Sequence, residues 1–130
     1  MNKRKGRSLE VEGVTHGTAP IPMGARVGNV IYSSGIMGKD PSTDEVPADV
    51  ALQAKFAFQH MEALLRAGGA TLDNVVRMTV FIKEESARGA INKEWLERFP
   101  DPTDRPARHT LVQDLRGGML LQLEIVAVVA

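Results

Sequence analysis

The residues best suited to chemistry lie in the run Arg105-Pro106-Ala107-Arg108-His109-Thr110, where an arginine sits among small and apolar neighbours at the start of a strand-like stretch. A cation so placed needs an anionic partner, and the planar guanidinium fork suits a carboxylate held by two hydrogen bonds. Two partners fit at this level: the carboxylate of a small substrate, or a protein carboxylate such as Glu124. Gln122 and Glu124 share one face of the last apolar stretch, by period-two alternation. If Arg108 approaches that face, the three make a polar patch on an apolar sheet; otherwise Gln122 and Glu124 are two residues of a solvated strand face.

Other signatures are missing. The chain has no Gly-rich phosphate loop, no HExxH and no nucleophile elbow. His16, His60 and His109 have no ligand spacing, so neither a metal nor a cofactor is expected. His60, in a helical stretch with Gln59 and Glu62, reads as a surface residue, and Tyr32 and Trp95 read as packing residues. The absence of cysteine excludes disulfides, thiolate ligands and a cysteine nucleophile together.

The elements that must position these residues follow from periodicity. Residues 10 to 14 alternate weakly, as a first strand paired with the second would. Gly28-Asn29-Val30-Ile31-Tyr32-Ser33-Ser34-Gly35 reads as a strand entered from a turn, and residues 40 to 44 as a surface loop. A helix is predicted from Pro47-Ala48-Asp49 to about Ala67, with Leu52, Ala54, Ala57, Phe58, Met61, Leu64 and Leu65 on its apolar side and Gly68-Gly69 as its stop. Residues 74 to 83 alternate as a strand with one buried face. A second helix is predicted over 86 to 99, with Ala87, Ala90, Ile91, Trp95 and Leu96 on one side, stopped by Pro100-Asp101-Pro102. Strands at 107 to 113 and 119 to 129, joined by a turn at Arg116-Gly117-Gly118, complete the order ββαβαββ.

The fold class expected is therefore α+β, a two-layer domain with two helices on one face of a mixed sheet. Both faces of the last strand are partly apolar, and self-association is the economical way to cover the second one. At 130 residues, 43% apolar and 25% charged, the chain suits one domain over residues 16–130, preceded by a basic, flexible segment 1–15 with a possible first strand. Sixteen basic residues balance sixteen acidic ones, so nucleic acid is not an expected partner. No apolar run approaches the ~20 residues that span a bilayer, and no apolar stretch follows the basic start, so neither membrane nor export is expected and the location expected is the cytoplasm.

Taken together, the run from Gly28 to Gly35, Asp40-Pro41, Gln53, Asp73-Asn74-Val75-Val76 before Thr79-Val80-Phe81, Asn92, Pro106-Ala107-Arg108 and Gln122-Leu123-Glu124 resemble the RidA/YjgF family over residues 19 to 129. The resemblance implies a chorismate-mutase-like fold and a homotrimer whose sheets line a central barrel, with clefts between subunits. It implies hydrolysis of a 2-imino or enamine acid to a 2-oxo acid and ammonia, with Arg108 on the substrate carboxylate. Ser34, Gly35 and Asn92 are implied as further cleft residues.

Three departures bear on chemistry. Gln122 stands where the hydrolytic members usually have Glu, and an amide can orient water but cannot take its proton. Ala19-Pro20-Ile21-Pro22-Met23-Gly24 replaces a Gly-Pro-Tyr loop, and His109 follows the arginine where a small residue is common. Either His16, His109 or Glu124 supplies the missing acid and base, or the cleft binds a small carboxylate without turning it over. A third expectation, ribonuclease activity, has neutral charge and the lack of an acid and base pair against it.

Overall fold

In the computed structural model, which describes residues 6–130, seven strands and two α-helices follow one another as β1 (Ser8–Leu9), β2 (Gly24–Val27), β3 (Val30–Ser33), β4 (Ile36–Met37), α1 (Val50–Ala67), β5 (Val75–Ile82), α2 (Arg88–Arg98), β6 (Ala107–Val112) and β7 (Leu121–Val128). The sheet order is β1-β2-β3-β7-β5-β6, with β4 also on β7. Only β5 and β6 run parallel, because α2 carries the chain back between them, and the remaining pairs are antiparallel. The α+β class and the helices on one face of a mixed sheet are as the periodicity predicts.

Alternation builds the core. In β7, Leu121, Leu123, Ile125 and Ala127 are buried beside Met78, Val80 and Ile82 of β5. Against them lie Ala57, Phe58, Met61, Leu64 and Leu65 of α1 and Ile91 and Trp95 of α2. Asp49 caps α1 by accepting the Ala51 N–H, and Gly69 at φ +79 turns the chain away at its end. Each fully buried large side chain at this interface contributes about 1.5–3 kcal/mol.

The N-terminal part departs from expectation. The first strand is Ser8–Leu9 and pairs with β2, not residues 10 to 14 paired with the 28–35 segment; Val11 and Val14 form only an isolated bridge. Leu9, Val11 and Val14 are buried and join the core, while the basic residues 1–5 lie outside the described residues. The two strands expected before α1 are four, because Gly28 at φ +60 opens a two-residue turn and folds β2 onto β3. The segment 28–35 is also interrupted: Tyr32 pairs with Val126 but Ile36 with Leu123, a one-residue shift that makes a bulge at Ser33–Gly35. Ser33 Oγ accepts the Ile125 N–H at 2.8 Å across the break.

Four side chains read as exposed or packed are otherwise, the first being Leu52, which is predicted on the apolar side of α1 and is 40% exposed. His60 is buried, its Nε2 2.6 Å from the Lys39 carbonyl oxygen, because the loop after β4 crosses α1 there. Tyr32 is 60% exposed and Leu96 52% exposed, the first on the sheet face away from the helices and the second on the outside of α2. That α2 begins at Arg88, after a 3-10 turn over Glu85–Ala87, shortens the predicted helix at its start.

Candidate functional site

Register places the site residues with little freedom. Across β6, β5 and β7, Arg108 stands level with Met78 and Ile125, while His109 stands level with Thr79 and Glu124. Met78 and Ile125 face the helices, so Arg108 and Thr110 share the helix side. His109, Glu124, Gln122 and Phe81 share the other side.

On the helix side, the Arg108 guanidinium carbon lies 5.1 Å from the centroid of the Trp95 ring. Its Nε–H donates to Thr110 Oγ1 at 3.1 Å. Among the described residues no carboxylate comes within 4.0 Å of Arg108, so within one chain the Glu124 pairing left open by the sequence is not made. Glu124 lies two strands away on the opposite face. Burial first, and the charge of Arg88 second, hold the Arg108 guanidinium below its ordinary pKa, and it remains a cation at neutral pH. Arg88 itself is paired bidentately with Glu85 at 2.9 and 3.0 Å. Asn92 is exposed on α2, one turn before Trp95.

A second group forms around the bulge. A Cβ added at Gly35 would lie 1.8 Å from Gln122 Nε2, so the glutamine amide rests directly on Gly35. His16 Nε2 lies 2.9 Å from the Gly35 carbonyl oxygen and donates to it. His16 Nδ1 is buried without a hydrogen-bond partner. Ser34 donates its N–H to Met23 O at 2.9 Å, which ties the bulge to the entry of β2. Glu124 is exposed, about 7 Å along β7 from Gln122 on the same face.

The structure thus gathers His16, Gly35 and Gln122 in one place and Arg108, Trp95 and Thr110 in another, while Asn92 is exposed on α2 without a hydrogen bond to either group. Gln122 is three residues along β7 from the level of Arg108 and two strands across, so their Cα atoms are about 14 Å apart and their side chains leave opposite faces. Of four hollows of about 310 to 500 Å³, one is lined by Glu124 with Tyr32, Ser33 and Thr79 and another by His16 with Thr15, Pro20 and Ile21, and none of these four includes Arg108. Thr110 and Arg88 were not singled out from sequence. The i, i+2 spacing of Arg108 and Thr110 on one strand carries a signal for the first, whereas only the packing of α2 on β6 reveals the second.

Fold and topology define the class, a two-layer α+β domain on a mixed sheet. The family follows from comparison: the Endoribonuclease L-PSP family model matches residues 18–129, and the chain belongs to this family, also known as RidA/YjgF. The 2-iminobutanoate/2-iminopropanoate deaminase of Escherichia coli strain K12 is 30% identical over 124 residues, which are 94% of this chain and 97% of the relative. The crystal structure of the YjgF gene product from E. coli superposes with a TM-score of 0.84 at 28% identity, covering 96% of this chain and 100% of that one. E. coli TdcF with bound serine gives 0.85 at 26% identity, with 95% and 99% covered. Among the described residues no helix is long and apolar enough to cross a membrane.

Proposed function

We propose that the protein is a hydrolytic deaminase of small carboxylated imines or enamines, giving a 2-oxo acid and ammonia. The observation that carries the reading is Arg108: a half-buried guanidinium without a carboxylate partner among the described residues, at the edge of the sheet. Desolvating a cation without pairing it costs stability, and an anionic ligand offsets that cost on binding. The relative named as an iminobutanoate and iminopropanoate deaminase, and TdcF with a bound amino acid, supply carboxylated ligands of the right size.

In this reading the Arg108 end and the Gln122 end of one site come from two chains. Opposite sheet faces about 14 Å apart cannot both touch a ligand of a few heavy atoms. The uncovered face, with its exposed Tyr32 and half-buried Phe81, Leu111 and Val126, is where a second copy packs, and a closed homotrimer with three clefts is the assembly proposed. A cytoplasmic location is part of this proposal.

The chemistry then divides by residue. Arg108 takes the carboxylate, and Asn92 and the Ser34-Gly35 main chain hold the rest of the substrate. Water adds to the imine carbon; the C–N bond of the resulting carbinolamine breaks, and nitrogen leaves as ammonia. Gln122 orients the water, and Glu124, on the same face of β7, or His109, level with Glu124 but two strands away on β6, takes and returns the proton, which an amide cannot do. His16 holds the Gly35 carbonyl. Such imines hydrolyse unaided, so positioning and one strong cation suffice for the rate enhancement required.

The test is ammonia release from freshly generated 2-iminobutanoate, with wild type and Arg108→Ala compared at equal chain concentration. Faster release that Arg108→Ala abolishes supports the reading; rates equal to buffer for both sink it. A second reading rests on Gln122: the cleft binds a small carboxylate without turnover, and thermal stabilisation by 2-oxobutanoate in the absence of any rate enhancement is its signature.

A further inference from the structure

A guanidinium offers five N–H groups in one plane and can hold a carboxylate through either of two kinds of edge: the side edge, which includes Nε–H, or the end formed by Nη1 and Nη2. Which edge Arg108 presents is decided by its neighbours. Thr110 lies two residues along β6 on the same face, and its Oγ1 accepts the Nε–H at 3.1 Å. The side edge is therefore occupied by the protein itself. Trp95 covers one face of the cation, with 5.1 Å between the guanidinium carbon and the ring centroid.

Trp95 is a firm support. Only 8% of it is exposed, and its ring packs on Phe99 at 4.9 Å and 58°. On the strand side Arg108 is in register with Met78, which is fully buried and leaves no polar group there to compete. What remains open is the Nη1/Nη2 end. No other arginine among the described residues pairs an intrastrand hydroxyl at Nε with an indole face: Arg98 and Arg88 spend their Nε on Glu62 and Glu85, and Arg26 and Arg105 on main-chain carbonyls. A neutral anchor leaves the positive charge of Arg108 uncancelled, where a carboxylate anchor would have consumed it.

We infer that Thr110 and Trp95 are positioning residues that hold the Arg108 fork end-on, so that the ligand carboxylate is received by Nη1 and Nη2 and not by the Nε edge. This rests on the carboxylate-binding reading of Arg108 and adds to it the orientation of the clamp and the residues that impose it. An arginine has four rotatable side-chain bonds, and an unanchored one would lose that freedom only when ligand arrives; here much of the loss is taken on folding, which favours affinity. Neither residue touches the reacting carbon, so the effect belongs in substrate binding and not in the turnover of bound substrate.

The experiment is calorimetric titration of the full-length protein with 2-oxobutanoate, for wild type, Thr110→Val, Thr110→Ser and Trp95→Phe, with KM and kcat for 2-iminobutanoate in parallel. Valine keeps the shape and removes the acceptor, and is expected to weaken binding and raise KM by about three- to tenfold with kcat within about twofold. Serine keeps the acceptor and is expected to stay within about twofold of wild type. Phenylalanine keeps a ring but a weaker cation support, and falls between them. Thermal midpoints of all four verify folding.

Equal binding by wild type and Thr110→Val overturns the inference, as does a Thr110→Ser variant as weak as valine, since the hydroxyl would then not be the cause. A loss in kcat with KM unchanged also overturns it. If wild type and Arg108→Ala both fail to bind 2-oxobutanoate, the carboxylate reading of Arg108 itself falls, and this proposal with it, whatever Thr110 does.

Discussion

Replacing Gly35 by alanine tests whether the contact between the bulge and Gln122 is as close as described. The new Cβ would lie 1.8 Å from Gln122 Nε2 and 2.9 Å from its Cδ, so the amide must retreat by roughly 2 Å to reach ordinary contact near 3.5 Å. Gly35 is not among the positive-φ glycines, so the backbone itself accepts alanine. The obstacle is the far end of a side chain with three rotatable bonds, and the expected cost is on the order of 1–3 kcal/mol, a fall of roughly 3–10 °C in thermal midpoint. Gly38 provides the contrast. A Cβ there would lie 2.1 Å from Gln53 O and 2.6 Å from Gln53 C and Cα, all main chain of α1, and no rotamer relieves that clash. Gly38→Ala is expected to cost well over about 3 kcal/mol and to accumulate poorly as folded protein. Urea denaturation of a Gly35→Ala, Gln122→Ala double-mutant cycle isolates the contact: on the Gln122→Ala background the alanine at 35 should cost no more than about 0.5 kcal/mol. If Gly35→Ala destabilises both backgrounds equally, Gln122 does not rest on Gly35 and the assignment of one half-site to these two residues is wrong.

Three further outcomes are expected. Gln53 is fully buried, donates to Pro47 O and Gly118 O and accepts the Leu120 N–H, so Gln53→Leu should strand three main-chain groups and lower stability by about 2–4 kcal/mol by urea denaturation. Burial lowers the pKa of His60 from its ordinary 6.5, outweighing the Lys39 carbonyl contact; the stability of keeping it neutral is therefore whole above pH 6.5 and lost as pH falls from there toward the lower folded value. The fall in thermal midpoint between about pH 7 and pH 5.5 should flatten in His60→Gln, and an unchanged slope would exclude His60 as its source. Arg108→Lys keeps the charge and loses the planar fork, and ammonia release from 2-iminobutanoate at limiting substrate should fall at least about tenfold; full activity would mean that charge alone serves.

Strands β5 and β7 and helix α1 were legible because each repeats its apolar residues at its own period over eight residues or more, and periodicity is a local property. β1, β2 and β4 run two to four residues, too short to establish a period, and the bulge between β3 and β4 appears only in the changed register against β7. His60 illustrates a related limit: Gln59 and Glu62 near it suggest a surface position, although it lies one turn from Ala57 and Leu64 on the buried face, and the loop that covers it comes from residues near Lys39.

For the site, residue type was enough to single out Arg108: a guanidinium beside Pro106 and Ala107 on a strand has few uses other than an anion. Its freedom from Glu124 was not legible, because strand order is a non-local choice and β5 lies between β6 and β7. Nor was the division of the proposed site residues between two faces, which depends on registers across three strands. The sequence by itself determined the α+β class, the main elements and the chemical character of the clamp, all consequences of local pattern and side-chain chemistry. Only the tertiary structure decided that Thr110 and Trp95 hold the arginine and that Gln122 rests on Gly35, because contacts between residues distant in sequence, and the turn of a side chain toward its neighbour, exist only once the chain has packed.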